Sequence, residues 1–346
     1  MRLGFVGTGK MAASHARAFG AIDGVTLTAA IDIDRGAAQQ FATEFGFAKA
    51  YGSLAEAISE AALDAVAIVT PDKTHHPITM EALASGLHVF CEKPLATEYA
   101  HAEAMRAAAE AAGVVQGVNL TYRNVAALQQ ARTMVEEGQI GAVRHFQAAY
   151  LQSWLTQDAW GDWRSEATWL WRLSESHGSL GVLGDVGIHI LDFATFAIGS
   201  PVASLSARHK VFDKSETGQI GEYTLDANDS VAMMLELGDG SMGVVHASRF
   251  ASGHINELRL RIYGEKGGLE VTNDGDLGTL RISSGGDMKA GAWRDVPLSP
   301  VPTTYERFAD AVLSGGTMDP DFTQGTRLQK VLDRAYDLGR APGAPV

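Results

Sequence analysis

The sequence predicts an α/β protein that begins with a doubly wound parallel sheet and continues into a second domain built on an antiparallel sheet. Strand patterns alternate with helical patterns through about residue 120, and this alternation requires crossover helices between parallel strands. Later strands alternate apolar and polar residues, as antiparallel strands do when one face is covered. The length of 346 residues suits two domains.

The first strand runs directly into a glycine turn. An apolar strand at residues 3–6 leads into an amphipathic helix through the sequence Gly7-Thr8-Gly9-Lys10-Met11-Ala12. Gly7 permits a tight turn, Gly9 lets the backbone approach a pyrophosphate, and the small Ala12 lets the helix pack on the strand. The helix N-terminus offers N–H groups and a partial positive charge to phosphates. This stretch predicts a dinucleotide site.

Asp32 closes the second apolar run, at the spacing of the acid that binds the adenine ribose. A carboxylate at this position repels a 2′-phosphate at close range, which favours NAD over NADP. Arg35 could offset that repulsion by pairing with the phosphate; its alternative role is that of a solvated residue in the first helical turn. We expect NAD as the cofactor, with NADP as the alternative.

Composition excludes several classes of partner. The formal net charge of −13 argues against nucleic acid and anionic membranes, which bind basic patches, and favours a small-molecule partner. No apolar run reaches about 18 residues, and the first residues already form a core strand, so we expect no membrane span, no signal peptide and a cytoplasmic location. Cys91 is the only cysteine and is predicted to be a buried thiol rather than a nucleophile.

The other elements of the parallel sheet follow in order. The predicted helices cover residues 34–45, 53–60, 76–85 and 97–112, and the predicted strands cover residues 48–51, 64–69, 87–91 and 114–118. With the first two strands these complete a six-stranded sheet of the Rossmann type. We therefore predict a Rossmann domain at residues 1–121 and a second domain at residues 122–346.

The second domain has a different pattern. A helix at 123–137 precedes a long strand at 142–151, and two helices at 303–313 and 322–338 come before an expected frayed tail at 341–346. Alternating strands are predicted from Val231 to Leu237 and from Leu258 to Ile262. Arg259 and Arg261 share one face of the latter strand, where they either pair across a subunit interface or remain solvated.

The first group outside the glycine turn that could perform chemistry is Glu92-Lys93-Pro94. It follows a parallel strand at its carboxyl end, where doubly wound sheets bind ligands. Pro94 fixes the backbone after Lys93, and a lysine beside a positively charged nicotinamide has a lowered pKa and can polarise a substrate hydroxyl. The alternative is a solvated loop lysine, and position alone does not decide between the two.

The second group is the pair Asp185 and His189. The apolar spacing from 185 to 198 is helical, so residues four apart lie on one face. A carboxylate that orients an imidazole forms the general base that alcohol oxidation requires as the hydride leaves. The alternative is that Asp185 caps the helix and His189 packs inside it.

An aromatic stretch and a histidine pair complete the candidates. Residues 150–171 carry five of the six tryptophans, beside polar groups such as Gln152 and Arg172, and this composition suits a sugar ring. For any single tryptophan, however, a place in the core or in a subunit contact is favoured. The five tryptophans are Trp154, Trp160, Trp163, Trp169 and Trp171.

His75 and His76 lack a third ligand at zinc spacing, so we expect no metal site.

Taken together, these motifs resemble the Gfo/Idh/MocA family of glucose–fructose oxidoreductases and inositol dehydrogenases, over almost the whole chain. Asp72 departs from the family's usual Thr-Pro-Asn, and Ala12 replaces the third glycine of many dinucleotide turns. The motifs that carry the resemblance are the glycine turn, Asp32, Thr70-Pro71-Asp72 with His75, Glu92-Lys93-Pro94, Gly184-Asp185-x-Gly187-x-His189 and Tyr263-Gly264-Glu265-Lys266-Gly267.

The resemblance implies a C-terminal α/β domain with a large, mainly antiparallel open sheet that forms homodimers or homotetramers. It also implies that Lys93, Asp185 and His189 line the place where nicotinamide meets substrate. The run 150–154 is similar to that of members acting on sugars, anhydrosugars and cyclitols. The implied substrate contacts are Lys93, Arg123, Gln152, Trp154, Asp185 and His189. The implied cofactor contacts are Gly7, Thr8, Gly9, Lys10, Met11, Asp32, Arg35, Thr70, Pro71, His75, Glu92 and Lys93.

We therefore expect an NAD(P)-dependent dehydrogenase that oxidises a secondary hydroxyl of a sugar or cyclitol, or catalyses the reverse reduction. His189 would take the proton, Asp185 would orient it and Lys93 would polarise the oxygen. Two alternatives remain. One is an NAD-dependent glycosidase that works by transient oxidation and elimination, and the other is a non-catalytic sugar sensor that binds NAD.

Overall fold

The computed structural model describes residues 1–340, which divide into two compact units. The tail expected at 341–346 lies outside the described residues. The first unit comprises Met1–Thr121 and Pro302–Gln329, and the second comprises Tyr122–Val301 together with the described residues 330–340.

The first unit contains a six-stranded, fully parallel sheet in the order β3-β2-β1-β4-β5-β6. The strand order reverses at β1, which creates the switch point where doubly wound sheets bind ligands at their carboxyl ends. The predicted Rossmann arrangement is confirmed. The strands are β1 (Arg2–Val6), β2 (Thr26–Ile31), β3 (Lys49–Tyr51), β4 (Ala65–Ile68), β5 (His88–Cys91) and β6 (Gln116–Val118).

The helices that connect these strands begin and end where the sequence supplies caps. Their bounds are α1 (Lys10–Gly20), α2 (Arg35–Phe45), α3 (Leu54–Glu60), α4 (His75–Ala84) and α5 (Tyr99–Ala112). The Asp34 side chain accepts hydrogen bonds from the first turn of α2, and Ser53 does the same for α3. Gly46 and Gly113 end α2 and α5 in the left-handed conformation.

Residues 302–329 group with the first unit, whereas the sequence places them in the C-terminal domain. Within this segment lie α10 (Thr304–Ser314) and the start of α11 (Phe322–Gly339). Phe308 is fully buried, and its ring lies 5.3 Å from that of Phe90 and 6.2 Å from that of Phe19. The apolar face of α10 shows that the helix needs a partner, but periodicity does not say which core supplies it.

The second unit contains an eight-stranded sheet in the order β16-β15-β14-β13-β7-β12-β11-β8. Every neighbouring pair is antiparallel except β7 and β12, so the expected mainly antiparallel sheet is confirmed. The strands are β7 (Val143–Gln152), β8 (Val202–Lys210), β11 (Ser230–Leu237), β12 (Met242–Ser248), β13 (Asn256–Gly264), β14 (Gly267–Thr272), β15 (Thr279–Ser284) and β16 (Arg294–Asp295), with a separate pair β9 (Gln219–Ile220) and β10 (Tyr223–Thr224).

One face of the large sheet is covered and the other is open. The helices of this unit are α6 (Ala126–Glu136), α7 (Ala167–Leu170), α8 (Ile188–Ile198) and α9 (Gly286–Ala290). Of these, α8 packs against α6, β7, β12 and β13 and is buried along nearly its whole length. Met234, Met242 and Val244 remain exposed on the other face.

Two local features differ from or complete the predictions. The helix predicted from residue 185 begins as α8 only at Ile188, because a π-helical turn occupies Leu183–Gly187. Cys91 is a fully buried free thiol, as predicted.

No helix within residues 1–340 combines the length and apolar character of a membrane span, and no three metal-binding side chains in that range form a metal site.

Candidate active site

The glycine turn between β1 and α1 leaves open space for a phosphate. Gly7 has φ of +95°, and a Cβ atom there would lie 2.4 Å from the Val69 carbonyl oxygen, so only glycine fits. A Cβ at Gly9 would meet no atom within 4 Å, and no side chain caps the N-terminus of α1. The free N–H groups of this helix end fit a pyrophosphate. Lys10 and Met11 lie exposed on its first turn.

Asp32 lies beside this turn and is held by it. Its Oδ2 accepts hydrogen bonds from the Thr8 amide at 3.0 Å and the Thr8 hydroxyl at 2.8 Å, while its Oδ1 accepts from the Asp34 amide at 3.0 Å. The carboxylate is therefore oriented at the carboxyl end of β2, where an adenine ribose binds in dinucleotide domains. Arg35 begins α2 at the same edge of the sheet and pairs with Glu56.

His75 joins two of the predicted cofactor loops. Its ring is fully buried, with Nδ1 2.8 Å from the Pro94 carbonyl oxygen and Nε2 2.9 Å from the Thr70 carbonyl oxygen. Carbonyl oxygens only accept, so both contacts are satisfied together by the doubly protonated ring. Burial lowers the pKa of His75, but the Cys91 sulfur, the Asp72 carboxylate and the Pro94 carbonyl raise it to about 10. His75 thus positions these loops from inside the fold.

The side chain of Glu92 lies in a buried polar network. Its Oε1 contacts His15 Nε2 and accepts from Asn119 Nδ2, both at 2.7 Å, and its Oε2 accepts from the Lys93 amide at 3.0 Å. Thr304 donates to Asn119 Oδ1 at 3.1 Å. Burial alone would raise the pKa of Glu92, but hydrogen bonds from His15 and Asn119 and the charges of His15 and Lys93 lower it to about 2. The carboxylate is therefore ionised and fixes the main chain at Lys93.

Asp185 lies in the π-helical turn that precedes α8. Its Oδ2 accepts from Arg249 Nη2 at 2.9 Å and lies 3.7 Å from Arg172 Nε. Arg249 is fully buried and also donates to the Arg172 carbonyl at 3.0 Å. Two guanidinium groups thus restrain the carboxylate that the sequence assigns to catalysis. Turns of this type occur often at functional sites.

His189 lies on α8 and packs against two tyrosines. Its ring is edge-on to Tyr122, with centroids 5.0 Å apart, and 6.4 Å from the ring of Tyr150. The two phenol oxygens are 2.5 Å apart. Burial and the neighbouring Tyr122 raise the pKa of Tyr150 well above its ordinary value, so its phenol stays protonated. The His189 imidazole, which lies next to these phenol groups, is of the residue type that most often accepts and releases a proton in catalysis.

Gln152 and Trp154, both predicted substrate contacts, are buried and bonded to each other. Trp154 Nε1 donates to Gln152 Oε1 at 3.2 Å, and Gln152 Nε2 donates to Asn256 Oδ1 at 2.9 Å. Tyr150 also donates to Asn256 Oδ1 at 2.8 Å, and Asn256 Nδ2 donates to Tyr122 at 3.2 Å. In the structure these two side chains support the tyrosines next to His189, so a direct substrate contact stays a prediction.

Arg123, predicted to contact substrate, forms a buried ion pair in the structure. Its Nε and Nη2 form a two-pronged ion pair with the Asp192 carboxylate at 2.6 and 2.7 Å, and its guanidinium lies 3.8 Å above the Phe196 ring. Both charged side chains are buried. The pair fastens the turn that contains Arg123 to α8, and the substrate contact of Arg123 stays a prediction.

Several residues of these clusters were not predicted from the sequence. The set consists of His15, Asn119, Tyr122, Arg249 and Asn256. Asn119 directly follows β6 at the carboxyl edge of the parallel sheet, a position at which it could have been found. Arg249 carries no comparable local signal, because its importance comes only from the contact with Asp185.

Two family models match the chain, one over each of its main parts. A family model described as an oxidoreductase family with an NAD-binding Rossmann fold matches residues 1–120, and the GFO/IDH/MocA C-terminal domain matches residues 128–270. The first unit therefore contains an NAD-binding Rossmann domain, as expected.

Similar proteins cover nearly the whole chain. Levoglucosan dehydrogenase of Pseudarthrobacter phenanthrenivorans is 25% identical over 96% of this chain and 94% of its own. Myo-inositol 2-dehydrogenase of Thermotoga maritima is 27% identical over 83% of this chain and 80% of its own. A solved structure of levoglucosan dehydrogenase with NADH and L-sorbose has a TM-score of 0.86 at 25% identity, over 98% of this chain and 96% of that one.

The buried charge of Glu92 predicts a specific pH dependence of stability. At neutral pH we expect Glu92→Gln to lower the free energy of unfolding by about 3 kcal/mol, because the folded pKa of about 2 lies well below the ordinary value of 4.5. A depressed carboxyl pKa stabilises the fold above the unfolded pKa, and that contribution is lost as the pH falls through the folded pKa. The difference between wild type and variant should therefore shrink as the pH falls from 4.5 towards 2.

Urea denaturation at several pH values between 7 and 3 measures this difference. Glu44→Gln, on the exposed surface of α2, is the control and should show no comparable pH-dependent change. A Glu92→Gln difference that stays constant from pH 7 down to pH 3 would mean that folding does not lower the pKa of this carboxyl.

Proposed function

Because the chain belongs to the Gfo/Idh/MocA family of NAD-binding oxidoreductases, we propose that it transfers a hydride between a nicotinamide cofactor and a secondary hydroxyl or ketone. The proposed substrate is a sugar, anhydrosugar or cyclitol. The observation that carries the proposal is that Lys93, Asp185 and His189 are all present and that each lies in a restrained setting. A protein that only sensed sugars would have no need of this set.

The cofactor is held by the first unit. The glycine turn and the N-terminus of α1 hold the pyrophosphate, and Asp32 holds the adenine ribose. When bound, the nicotinamide ring accepts or supplies the hydride. We prefer NAD to NADP because Asp32 places a negative charge where a 2′-phosphate would lie.

The protein's own groups handle the proton and the oxygen. The ammonium of Lys93 polarises the substrate oxygen, and Glu92 fixes the main chain from which that ammonium extends. The imidazole of His189 takes the hydroxyl proton during oxidation and returns it during reduction. Asp185, restrained by Arg249 and Arg172, orients the proton transfer.

The names of the relatives support the substrate class. A levoglucosan dehydrogenase acts on an anhydrosugar and a myo-inositol 2-dehydrogenase acts on a cyclitol. Both names describe oxidation of a hydroxyl, which favours a dehydrogenase over a glycosidase or a sensor. We propose a cytoplasmic location, where a dissociable nicotinamide cofactor is available.

A turnover screen tests the function directly. The intact protein is incubated with NAD or NADP and a panel of monosaccharides, anhydrosugars and inositols, and the absorbance of the reduced nicotinamide is followed. We expect cofactor reduction with at least one compound, and faster reduction of NAD than of NADP. Free sugar released from a glycoside without net cofactor reduction would indicate the glycosidase instead. Tight cofactor binding with no turnover across the panel would indicate the sensor.

Two substitutions test the catalytic assignments. We expect His189→Ala and Lys93→Ala each to lower kcat by at least about 100-fold, because a positioned acid or base contributes that much or more. Titration with NADH should show that both variants still bind cofactor. His145→Ala, on β7, and Lys289→Ala, on α9, are the controls and should keep normal turnover. Near-normal kcat in both site variants would refute the assignment.

We further propose that the open face of the large sheet joins copies of this chain into a homodimer or homotetramer. Met234 of β11 lies opposite Val244 of β12 in the register, and these side chains are 61% and 36% exposed. Met242, on the same face, is 58% exposed. Large apolar side chains grouped on a sheet face are typical of protein–protein contacts.

A charge placed in this face should separate the copies. Met234→Lys is expected to shift the protein to a monomer in size-exclusion chromatography with light scattering, because each copy would bury an unpaired ammonium. Met288→Lys is the matched control, since Met288 is 47% exposed on α9 and lies outside the sheet. An unchanged oligomer in Met234→Lys, or a monomeric wild type, would exclude this interface.

A further inference from the structure

The pairing of Arg35 with Glu56 lies at the edge of the parallel sheet that holds Asp32. Arg35 Nη2 lies 2.5 Å from Glu56 Oε2, and the same Glu56 oxygen accepts from the Gly52 amide at 3.0 Å. Glu56 therefore contacts two groups at once, while the Arg35 side chain remains 66% exposed. The pair joins the start of α2 to the first turn of α3.

The local sequence directs the guanidinium to this position. Asp34 caps α2, so Arg35 is the first helical residue, and Ser53 caps α3 by accepting from the Glu56 amide at 3.2 Å. Gly52 has no side chain, and a Cβ atom there would lie 2.8 Å from Arg35 Nε. The guanidinium thus lies against the Gly52 backbone, with the Glu56 carboxylate bound to its end.

This edge is where a dinucleotide domain distinguishes NAD from NADP. The strands β2 and β3 are parallel neighbours, with Ile31 opposite Tyr51, so Asp32 and Gly52 follow adjacent strands at their carboxyl ends. The acid after β2 binds the ribose hydroxyls in NAD enzymes, whereas an arginine nearby binds the 2′-phosphate in NADP enzymes. Here both residue types are present, and the arginine is bound to another carboxylate.

We propose that Glu56 is a cofactor-selectivity residue, which withholds Arg35 from a 2′-phosphate and so favours NAD over NADP. An incoming phosphate must compete with Glu56 for the guanidinium, and it meets a second negative charge besides Asp32. NAD has no 2′-phosphate, so neither effect changes its affinity. The proposal rests on the NAD-binding domain and does not depend on which substrate is oxidised.

The expected effect is moderate because the pair is exposed to solvent. Neutralising Glu56 removes one competitor for Arg35 and one negative charge near the phosphate. The negative charge of Asp32 remains and still favours NAD. Exposed ion pairs and screened charges of this kind change affinity by about three- to tenfold. The selectivity should therefore decrease without reversing.

Direct binding of the reduced cofactors tests the proposal. The Kd values of NADPH and NADH are measured by fluorescence titration of the intact protein and of Glu56→Gln, which keeps an acceptor for Gly52. We expect the Kd of NADPH to fall about three- to tenfold and that of NADH to change less than about twofold. Glu60→Gln is the matched control, because Glu60 lies on the same helix and forms an exposed ion pair with Lys49.

A double variant shows whether the improvement in NADPH binding depends on Arg35. In Glu56→Gln, the further change Arg35→Ala should remove most of the improvement in NADPH binding, because competition for the guanidinium acts only through Arg35, and leave the smaller part that comes from the removed charge. Glu56→Ala repeats the test without the hydrogen bond to Gly52, and thermal unfolding reports whether each variant is folded. An unchanged ratio of the NADPH and NADH Kd values in both Glu56 variants, or an improvement in NADPH binding that Arg35→Ala leaves undiminished, would overturn the proposal.

The test remains informative if the proposed function fails. Cofactor binding is measured without any sugar, so a silent turnover screen would leave the selectivity result unaffected. Conversely, the protein could oxidise sugars normally while the Glu56 variants keep the wild-type ratio of NADPH and NADH Kd values. That result would exclude only the role of Glu56.

Discussion

The buried charge of Glu92 is the constraint on which the first unit depends. An ionised carboxylate can be buried only if donors surround it, since loss of its hydration otherwise costs several kcal/mol. Two of its partners, His15 of α1 and Asn119 after β6, come from distant segments, and the third is the amide of the neighbouring Lys93. Because α1 also carries the glycine turn at its N-terminus, the contact that satisfies Glu92 also fixes the helix behind the proposed pyrophosphate site. Cofactor binding and the placement of Lys93 are therefore parts of one packing arrangement.

Much of this arrangement could be predicted because the requirements are local. Gly7 and Asp32 are recognisable since a turn with positive φ needs glycine and a ribose needs an acid at a fixed distance along the chain. The antiparallel strands were recognisable from alternation alone, although alternation does not reveal that β7 and β12 run parallel. Asn119, Arg249 and the placement of α10 could not be derived with the same certainty. Each depends on a partner far away in the sequence, which only the folded chain brings near.

In the second unit, a residue far away in the sequence, Arg249, fixes the position of Asp185. A regular helix through 185–198 would let Asp185 and His189 act as a simple pair on one face. The π-helical turn also places Asp185 where Arg249 reaches it from the end of β12. Arg249 is fully buried, so its charge needs the Asp185 carboxylate as much as the carboxylate needs a fixed position. Gly184 and Gly187 were the available signal for an irregular turn, since glycine weakens a regular helix.

The orientation of the polar groups beside His189 follows from one donor. The indole nitrogen of Trp154 can only donate, so Gln152 must accept with its oxygen and donate with its nitrogen. This fixes the Asn256 oxygen as the acceptor and its nitrogen as the donor to Tyr122. Because Tyr150 donates to the same Asn256 oxygen, the short contact between the phenols requires Tyr122 to donate to Tyr150. Both phenol protons are then committed within the network, and Tyr150 also accepts from Gln152 Nε2 at 3.4 Å. A ligand that reached the Tyr122 oxygen would therefore have to donate a hydrogen bond to it. A hydroxyl-rich ring can donate in this way, whereas a ligand that offers only acceptors cannot.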